Sequence, residues 1–497
     1  MHLRRSRSLI ACLAVVSAAL THETAGQQAT PVRRTTSRLL WSAPVGTPQL
    51  STALGSLLDR SVRSGEWGAL VVSLSQGDTL FDRNADEPLL PASTMKVFTS
   101  AIALDYLGPD YQFETQVLRE GDIDSAGVLH GDLILRGAGD PSLGAKEGEN
   151  PMRLLARQVA DAGITQVTGV VVGDGSAFDG RRVPDGWLER NLSTRYAKRV
   201  SALSYNQNSV SVSVRVVNGK AQAEIYPAVS GLSVINGVTV RAGSRGGSIA
   251  LRQDAATGTF RVSGWIGAGS PTRANSCNVE NPELFAAAAF RAALLAEKVK
   301  VTGPKVAAHA ADSSATRIAG FPSHPLSELV AQMNGESNNH FAELLFRNVA
   351  RTTGSVGSAD TGNALMHVFL TDKVRTPAND FFAADGSGLS TLDRVTPRSL
   401  VSVLDYSMKA PWSSVFTSSL PVAGETETLR ARMRGAPAQG KLRAKTGTTG
   451  QVISLGGYVT AADGEELVFA FIYNGTDQTR AKAAIDAMGS TMASFSR

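Results

Sequence analysis

The sequence predicts an α/β (α+β) fold in which an antiparallel sheet is flanked by helices and carries inserted β-rich domains. Two observations lead to this prediction. Strand and helix patterns occur at both ends of the chain, which indicates one domain assembled from both termini. In the middle, valines alternate with other residues from Val210 to Val216, which is the period of a strand with one buried face. A chain of 497 residues with 42% hydrophobic content can bury a large core and form more than one domain.

The N-terminal part of this two-ended domain is predicted to contain a hairpin followed by a helix. Apolar residues at 69–74 and 79–81 flank a turn around Gly77, which is the pattern of two short paired strands. The helix is predicted to start near Ser93. It stops at Gly108, which directly precedes a proline.

The C-terminal part repeats this mixture of strands and helix. Apolar, β-branched segments at 442–448, 452–460 and 466–473 predict three strands. A helix is predicted to follow from about Gln478. The two ends together therefore supply enough strands for one sheet.

The region between the two ends is predicted to be inserted and rich in strands. It spans residues 111–283, with two nested subdomains, and includes a helix at 153–162 and a strand at 167–173. The surrounding domain is then formed by residues 48–110 and 284–497.

The first residues predict a secretory signal peptide at 1–26. Arg4 and Arg5 provide a basic start, and the apolar run at 9–20 is too short to span a membrane. Residues 27–47 are rich in proline, serine, threonine and arginine, which predicts a linker. The chain is therefore expected in the periplasm, although the pattern leaves the cleavage site open.

Composition argues against several classes of partner. The formal net charge of +5 is small for this length, and no basic stripe carries interleaved aromatic residues, so no nucleic acid is expected. Arg195, Lys198 and Arg199 form a local cluster that is predicted to be a solvated face. Membrane contact is expected to be peripheral at most. Of the two cysteines, Cys12 lies in the predicted leader and Cys277 is left alone, so no internal disulfide is expected.

Ser93 and Lys96 form a Ser-x-x-Lys pattern at the start of a predicted helix. Residues three apart lie on one face of a helix, so the lysine amine folds back beside the hydroxyl. A desolvated lysine with a lowered pKa is able to remove the serine proton, which makes the pair a candidate nucleophile and base. Alone, so short a pattern also fits an ordinary surface helix.

A Ser-x-Asn pattern is the second candidate motif. It occurs at Ser204, Ser276 and Ser337, and only Ser337 lies between two helical patterns, where a short turn presents polar groups to a cleft. Ser337 is expected to relay a proton to the leaving amine, and Asn339 to hold Lys96 and the substrate amide in place. The polar run that begins at Ser204 is also able to face the site.

A Lys-Thr-Gly pattern, formed by Lys445, Thr446 and Gly447, is the third candidate motif. The positive charge of Lys445 is expected to help to keep the other lysine neutral and to attract an anionic substrate. Thr446 is expected to bond a carboxylate, and Gly447 to let the substrate backbone approach closely. The backbone N–H groups of Ser93 and Thr448 are the expected oxyanion donors.

Other catalytic schemes fit less well. The sequence has no Gly-x-Ser-x-Gly elbow, and its histidines are scattered. His340, beside the second motif, is predicted to lie on a helix surface, and the run from Asp385 to Ser390 is predicted to be a tight turn. No group of residues has metal-ligand spacing and no glycine-rich loop could cradle a phosphate, so neither a metal nor a cofactor is expected.

The three motifs together resemble those of the low-molecular-mass class C penicillin-binding proteins, the D-alanyl-D-alanine carboxypeptidase/endopeptidase family. Spacing supports the resemblance, because the gap between Ser93 and Ser337 is more than twice that between Ser337 and Lys445, and a long insertion there marks this class. The resemblance covers about residues 50–495. Further similar runs lie at 137–143, 203–208 and 385–390.

The resemblance implies a penicillin-binding transpeptidase-like catalytic domain with two inserted domains. It implies a serine-type carboxypeptidase that removes the terminal D-alanine of peptidoglycan stem peptides, often cuts cross-bridges, and is acylated by β-lactam antibiotics at Ser93. This chain departs from the family pattern at Asn338, where an Asp is usual, and at 424–429, where a glycine is lost. A serine β-lactamase and a non-enzymatic wall-binding protein stay open as alternatives.

Overall fold

The structure, a computed structural model, describes residues 41–62, 64–144, 150–227, 234–254 and 259–497. The predicted signal peptide and most of the predicted linker lie outside the described residues. Within them, no helix has both the length and the apolar character needed to cross a membrane.

Ten α-helices are found in the described part of the chain, numbered here in chain order. They are α1 Thr47–Ser61, α2 Met95–Leu107, α3 Pro151–Asp161, α4 Pro282–Ala296, α5 Leu326–Glu336, α6 Asn339–Arg351, α7 Ala359–Val368, α8 Pro397–Lys409, α9 Ser413–Ser419 and α10 Gln478–Ala493.

The strands fall into a terminal set and an inserted set. The terminal set is β1 Glu66–Ser73, β2 Thr79–Arg83, β16 Phe381–Phe382, β17 Arg394–Val395, β18 Leu442–Thr448, β19 Val452–Thr460 and β20 Glu466–Asn474. The inserted set is β3 Glu114–Ile123, β4 Val128–Arg136, β5 Gln166–Val167, β6 Val171–Asp174, β7 Ser209–Val217, β8 Lys220–Tyr226, β9 Val234–Arg241, β10 Gly247–Gln253, β11 Phe260–Gly267, β12 Arg273–Asn278, β13 Lys300–Val301, β14 Val306–Ala308 and β15 Thr316–Pro322.

A five-stranded antiparallel sheet of order β18-β19-β20-β1-β2 joins the two ends of the chain. Side chains alternate across it, as the period of a strand requires. Phe469 and Phe471 of β20 face a core shared with α1 and α10, whereas Val468 and Ile472 face a core shared with α2 and α8. The predicted fold class, an antiparallel sheet flanked by helices and built from both termini, is therefore confirmed.

The described residues of the inserted region form three further sheets. The largest has seven strands, of order β13-β5-β4-β3-β15 with β6 and β14 attached, and α3 and α4 pack together beside it. Two three-stranded sheets follow, of order β12-β7-β8 and β10-β11-β9. The segment predicted as one strand at 167–173 is divided between β5 and β6.

The end of the insertion differs from the predicted boundary at residue 283. β15 pairs antiparallel with β3, so the chain from α4 to residue 322 belongs to the seven-stranded sheet rather than to the five-stranded one. Local periodicity shows that a helix and strands follow residue 283, but it does not show which distant strand they join.

Candidate active site

Ser93 lies in a single 3-10 turn, Ala92–Thr94, that leads directly into α2. Ala92 has a positive φ of 48°, so the chain turns sharply just before the serine. The predicted closeness of the first motif is present, because Lys96 Nζ lies 3.0 Å from Ser93 Oγ.

Lys96 is completely buried beneath the serine. Its amine also donates to Asn339 Oδ1 and to the backbone carbonyl of Ser387, both at 2.7 Å. Burial lowers the pKa of Lys96 to about 7, against the opposing effect of acidic neighbours, of which Asp385 is the strongest. The lysine is therefore deprotonated in a large fraction of molecules near neutral pH.

The second motif occupies the junction between α5 and α6. Ser337 ends α5 in the left-handed region, with a φ of 58°. Asn338 caps α6, because its side-chain oxygen accepts from the backbone N–H groups of His340 and Phe341. Since Asn and Asp are equally good caps, the departure from the family pattern at this position preserves the local structure. Asn339 contacts Lys96 through its oxygen and donates through its nitrogen to the carbonyl of Tyr196 at 3.0 Å.

Lys445 on β18 joins the second and third motifs. Its amine lies 2.8 Å from Ser337 Oγ and 3.0 Å from the carbonyl of Thr446. Burial holds its pKa well below the usual range, and the positive charge of Lys96 adds to this effect. Thr446 Oγ1 lies 3.1 Å from the hydroxyl of Thr428.

Gly447 and Gly388 hold the backbone of the Ser93 turn from two sides. A Cβ on Gly447 would lie 2.0 Å from Ser454 Oγ and 3.1 Å from the amide nitrogen of Ser93. A Cβ on Gly388 would lie 1.8 Å from the carbonyl oxygen of Ala92. The structure thus gives Gly447 a reason besides the predicted one, because the glycine lets β18 approach the serine turn; its close approach to the substrate backbone stays a prediction.

The three motifs meet at one cleft of about 850 Å³. Ser93, Ser337, Asn339 and Thr448 line it, while the two lysines lie buried beside it. All eight of the predicted site residues lie in or directly beside this cleft. They are Ser93, Lys96, Ser337, Asn339, Lys445, Thr446, Gly447 and Thr448.

The inserted region also contributes to this cleft. Arg195 and Lys198, predicted to form a solvated face with Arg199, instead line it, and Lys198 donates to Gln207 at 2.8 Å. Burial lowers the pKa of Lys198 to about 8. Gln207 belongs to the polar run that begins at Ser204, so one side chain of that run does face the site.

His340 contradicts its predicted position on a helix surface. It is only 3% exposed, and neither ring nitrogen has a hydrogen-bond partner among the described residues. Burial holds its pKa well below the usual range, so the ring is neutral. The periodicity of α6 could not reveal this, because neighbouring elements cover nearly every face of that helix.

A buried acidic cluster behind Lys96 escaped the sequence prediction. Glu343, Asp385 and Asp393 are each fully buried, and Arg347 pairs with Glu343 at 2.7 Å. Burial and neighbouring negative charge raise the pKa of Glu343 to about 7 and that of Asp393 well above its usual range. The only sequence signal was the run from Asp385 to Ser390, predicted as a tight turn.

That run is a turn organised by one carboxylate. Asp385 accepts backbone N–H bonds from Ser387, Gly388, Leu389 and Ser390, at 2.6–3.1 Å. Its Oδ2 also accepts from the indole of a buried tryptophan at 2.7 Å. The turn therefore has both a structural role and a place in the site, since its Ser387 carbonyl contacts Lys96. Among the described residues, no group of three or more His, Cys, Asp or Glu side chains could hold a metal ion.

A serine paired with a buried lysine, beside Ser-x-Asn and Lys-Thr-Gly motifs on this sheet and helix framework, defines the class of serine acyl-transfer enzymes that includes the penicillin-binding proteins. The D-Ala-D-Ala carboxypeptidase 3 (S13) family model matches residues 51–495, so the chain belongs to this family. The resemblance to class C penicillin-binding proteins is thereby confirmed. The chain is a serine-type D-Ala-D-Ala carboxypeptidase.

Individual relatives agree with this assignment. The chain is 32% identical over 460 residues to a D-alanyl-D-alanine carboxypeptidase of Actinomadura sp. (strain R39), covering 88% of this chain and 83% of the relative. It is 28% identical to the D-alanyl-D-alanine carboxypeptidase DacB of Haemophilus influenzae, covering 82% of this chain and 85% of the relative. The crystal structure of penicillin binding protein 4 (dacB) from Haemophilus influenzae superposes with a TM-score of 0.75 at 25% identity, covering 88% of this chain and 97% of that one.

Proposed function

We propose that this chain, working in the periplasm, removes the terminal D-alanine from peptidoglycan stem peptides, and also cuts cross-bridges, through an acyl-enzyme on Ser93. The observation that carries the proposal is the contact of 3.0 Å between Lys96 Nζ and Ser93 Oγ, made by a buried lysine whose pKa is about 7. The pattern of residues 1–26 supports export.

Acylation begins with the serine proton. Neutral Lys96 takes the proton from Ser93 as the oxygen attacks the carbonyl carbon of the penultimate D-alanine. Asn339 and the Ser387 carbonyl hold the amine, at 2.7 Å each, so that its lone pair is directed at the hydroxyl. The backbone N–H groups of Ser93 and Thr448 stabilise the developing oxyanion.

The leaving amine then needs a proton. Ser337, whose hydroxyl faces the cleft and contacts Lys445 at 2.8 Å, relays this proton: it donates its own proton to the amine and receives in return the one that Lys96 took from Ser93, which leaves Lys96 neutral again. The amine of Lys445 and the hydroxyl of Thr446 bind the terminal carboxylate, whose negative charge favours the protonated form of this lysine. Water then attacks the ester, and Lys96 acts again as the base, which releases the shortened peptide and restores Ser93.

Penicillins are expected to follow the first half of this path. The Haemophilus influenzae penicillin binding protein 4 has been solved in complex with a β-lactam. We propose that the β-lactam ring of a penicillin opens on Ser93 in this chain as well, and that the resulting ester is hydrolysed slowly.

The test combines labelled penicillin with cross-linked muropeptides, using the wild type and Ser93→Ala. Mass analysis should find one label on Ser93 of the wild type, together with released D-alanine and separated cross-bridges, and none of these with the variant. An unlabelled Ser93 and intact muropeptides would rule out the proposal. Rapid, sustained turnover of a chromogenic β-lactam would instead identify a serine β-lactamase, and equal wall binding by both proteins without product would identify a binding protein.

A further inference from the structure

The buried ion pair of Glu343 and Arg347 lies one layer behind the proposed base. Both residues lie on α6, one helical turn apart, and are at most 1% exposed, with Arg347 Nη1 2.7 Å from Glu343 Oε2. A surface pair of this spacing would need no explanation. A fully buried one is expensive to desolvate and adds little net stability, so its retention calls for another reason.

Glu343 reaches Lys96 through the Asp385 turn. Its Oε1 accepts the backbone N–H of Gly386 at 3.1 Å, and the carbonyl of Gly386 accepts from the Thr99 hydroxyl at 2.7 Å. The next carbonyl along the chain, that of Ser387, accepts from Lys96 Nζ. Glu343 therefore fixes the peptide segment that orients the amine, although it does not touch the amine itself.

We propose that Glu343 is a positioning residue for the reaction: through Gly386 and Ser387 it holds the Lys96 amine toward Ser93, and its negative charge determines how readily that amine gives up a proton. This inference rests on the proposed role of Lys96 as the base. It assigns a function to a side chain that has no direct part in the acylation and hydrolysis steps proposed above.

Several charged groups face this pair. Glu343 faces Asp385, Asp393 and Arg347, and its negative charge favours the protonated form of Lys96. Asp385 and Asp393 act on Lys96 in the same direction, whereas Lys445 is a second buried lysine whose own pKa is lowered by burial and by the positive charge of Lys96. Removing the charge of Glu343 while keeping its shape should therefore lower the pKa of Lys96.

The decisive variant is Glu343→Gln, because a glutamine of the same length still accepts from Gly386. The acid limb is the part of the pH profile in which the penicillin acylation rate rises as Lys96 loses its proton. We expect this limb to move to lower pH by about half a unit or more, since a neighbouring charge shifts a pKa by this order. Glu343→Asp keeps the charge but shortens the reach, so it should slow acylation without moving the limb. Asp59→Asn removes an exposed carboxylate far from the site and should change neither.

An unchanged acid limb in Glu343→Gln, with only a lower Tm, would reduce Glu343 to a structural role and overturn the inference. Wild-type protein that takes no label on Ser93 would instead defeat the proposed function, so the two failures are distinguishable. If Glu343→Gln does not fold, infrared spectroscopy of wild-type protein with ¹³C-labelled glutamate gives an independent reading. A buried glutamate carboxyl that is ionised in the pH range where the acylation rate rises supports the inference, and one that stays protonated between pH 5 and 9 refutes it.

Discussion

The cleft region and the two three-stranded sheets of the insertion differ in where their charged side chains lie: buried in the first and exposed in the second. Around the cleft, Lys96, Lys445 and Glu343 are fully buried. Among the described residues between 209 and 278, no charged side chain is buried, and the pair of Arg215 and Glu224 is 53% and 60% exposed. The same chain thus keeps charge in solvent in one place and removes it from solvent in another.

The difference shows which charges the fold needs. Exposed pairs add little to stability, and buried charges usually subtract from it unless they are fully bonded. The buried set around Lys96 is therefore explained by chemistry, because only a desolvated lysine with a pKa of about 7 is able to act as a base at neutral pH. Four experiments bear on this comparison.

Lys96→Met should have the largest effect. It keeps an unbranched side chain of similar length in the buried position but removes the base, so the rate of penicillin acylation should fall by about a thousandfold. Stopped-flow measurement with a labelled penicillin checks this. Lys441→Met, at an exposed position, serves as the control. An acylation rate for Lys96→Met within tenfold of the wild type would contradict the role of the base.

Gly447→Ala should come next. Its methyl group would overlap Ser454 and press on the backbone of Ser93, and a displacement near 1 Å reduces a rate by about a hundredfold. Gly269→Ala, in the insertion, meets only one side-chain atom at 3.9 Å and should leave the rate unchanged. Equal acylation rates in the two variants would show that β18 does not constrain the serine turn.

The dependence of the wild-type acylation rate on pH is a smaller effect, but it tests the pKa of Lys96 directly. Lys96 must be neutral to accept a proton, so the acylation rate should rise with pH through about 7 and fall about tenfold per unit below it.

The free energy of unfolding should also rise with pH. Because folding lowers the pKa of Lys96 from 10.5 to about 7, the unfolded chain binds more protons between these values, and the free energy of unfolding gained from this residue rises with pH across that window. Urea titrations of wild type and Lys96→Met, compared from pH 7 to 10, test this slope.

Arg215→Ala should have the smallest effect. Its ion pair on β7 and β8 is exposed, so the free energy of unfolding should change by no more than about 0.5 kcal/mol and the acylation rate should stay the same. Thermal melts and the labelling assay check both values. A loss of several kcal/mol would show that the insertion depends on charge as much as the cleft does.

Sequence reasoning reached the parts of the site that depend on local spacing. The three-residue interval from Ser93 to Lys96 predicts their contact from helix geometry alone, and the strands at 442–448 and 452–460 have the predicted bounds. It also ranked the Ser-x-Asn patterns usefully, because Ser337 alone lies between two helices. The convergence of three distant segments came from the resemblance to a family rather than from periodicity.

The parts that escaped prediction depend on what covers a residue. Glu343 and Arg347 have the spacing of a surface ion pair on a helix, and His340 has the spacing of an exposed position. Each is buried because neighbouring elements and the Asp385 turn close over α6, which no local pattern encodes. The predicted end of the insertion at residue 283 differs from the structure for the same reason, since β15 pairs with β3 across about 200 residues of sequence.

The close packing of Gly388 and Gly447 against the backbone of the Ser93 turn has a consequence for how this enzyme can evolve. Any larger residue at either position would collide with main-chain atoms, so neither position offers an incremental route to reduced antibiotic capture. Selection for resistance would have to work on other residues that line the cleft, such as Thr449 and Gly450, since a methyl group on Gly450 would meet only open space. The close packing of these two glycines against the serine turn thus leaves the other cleft-lining residues as the positions open to gradual change.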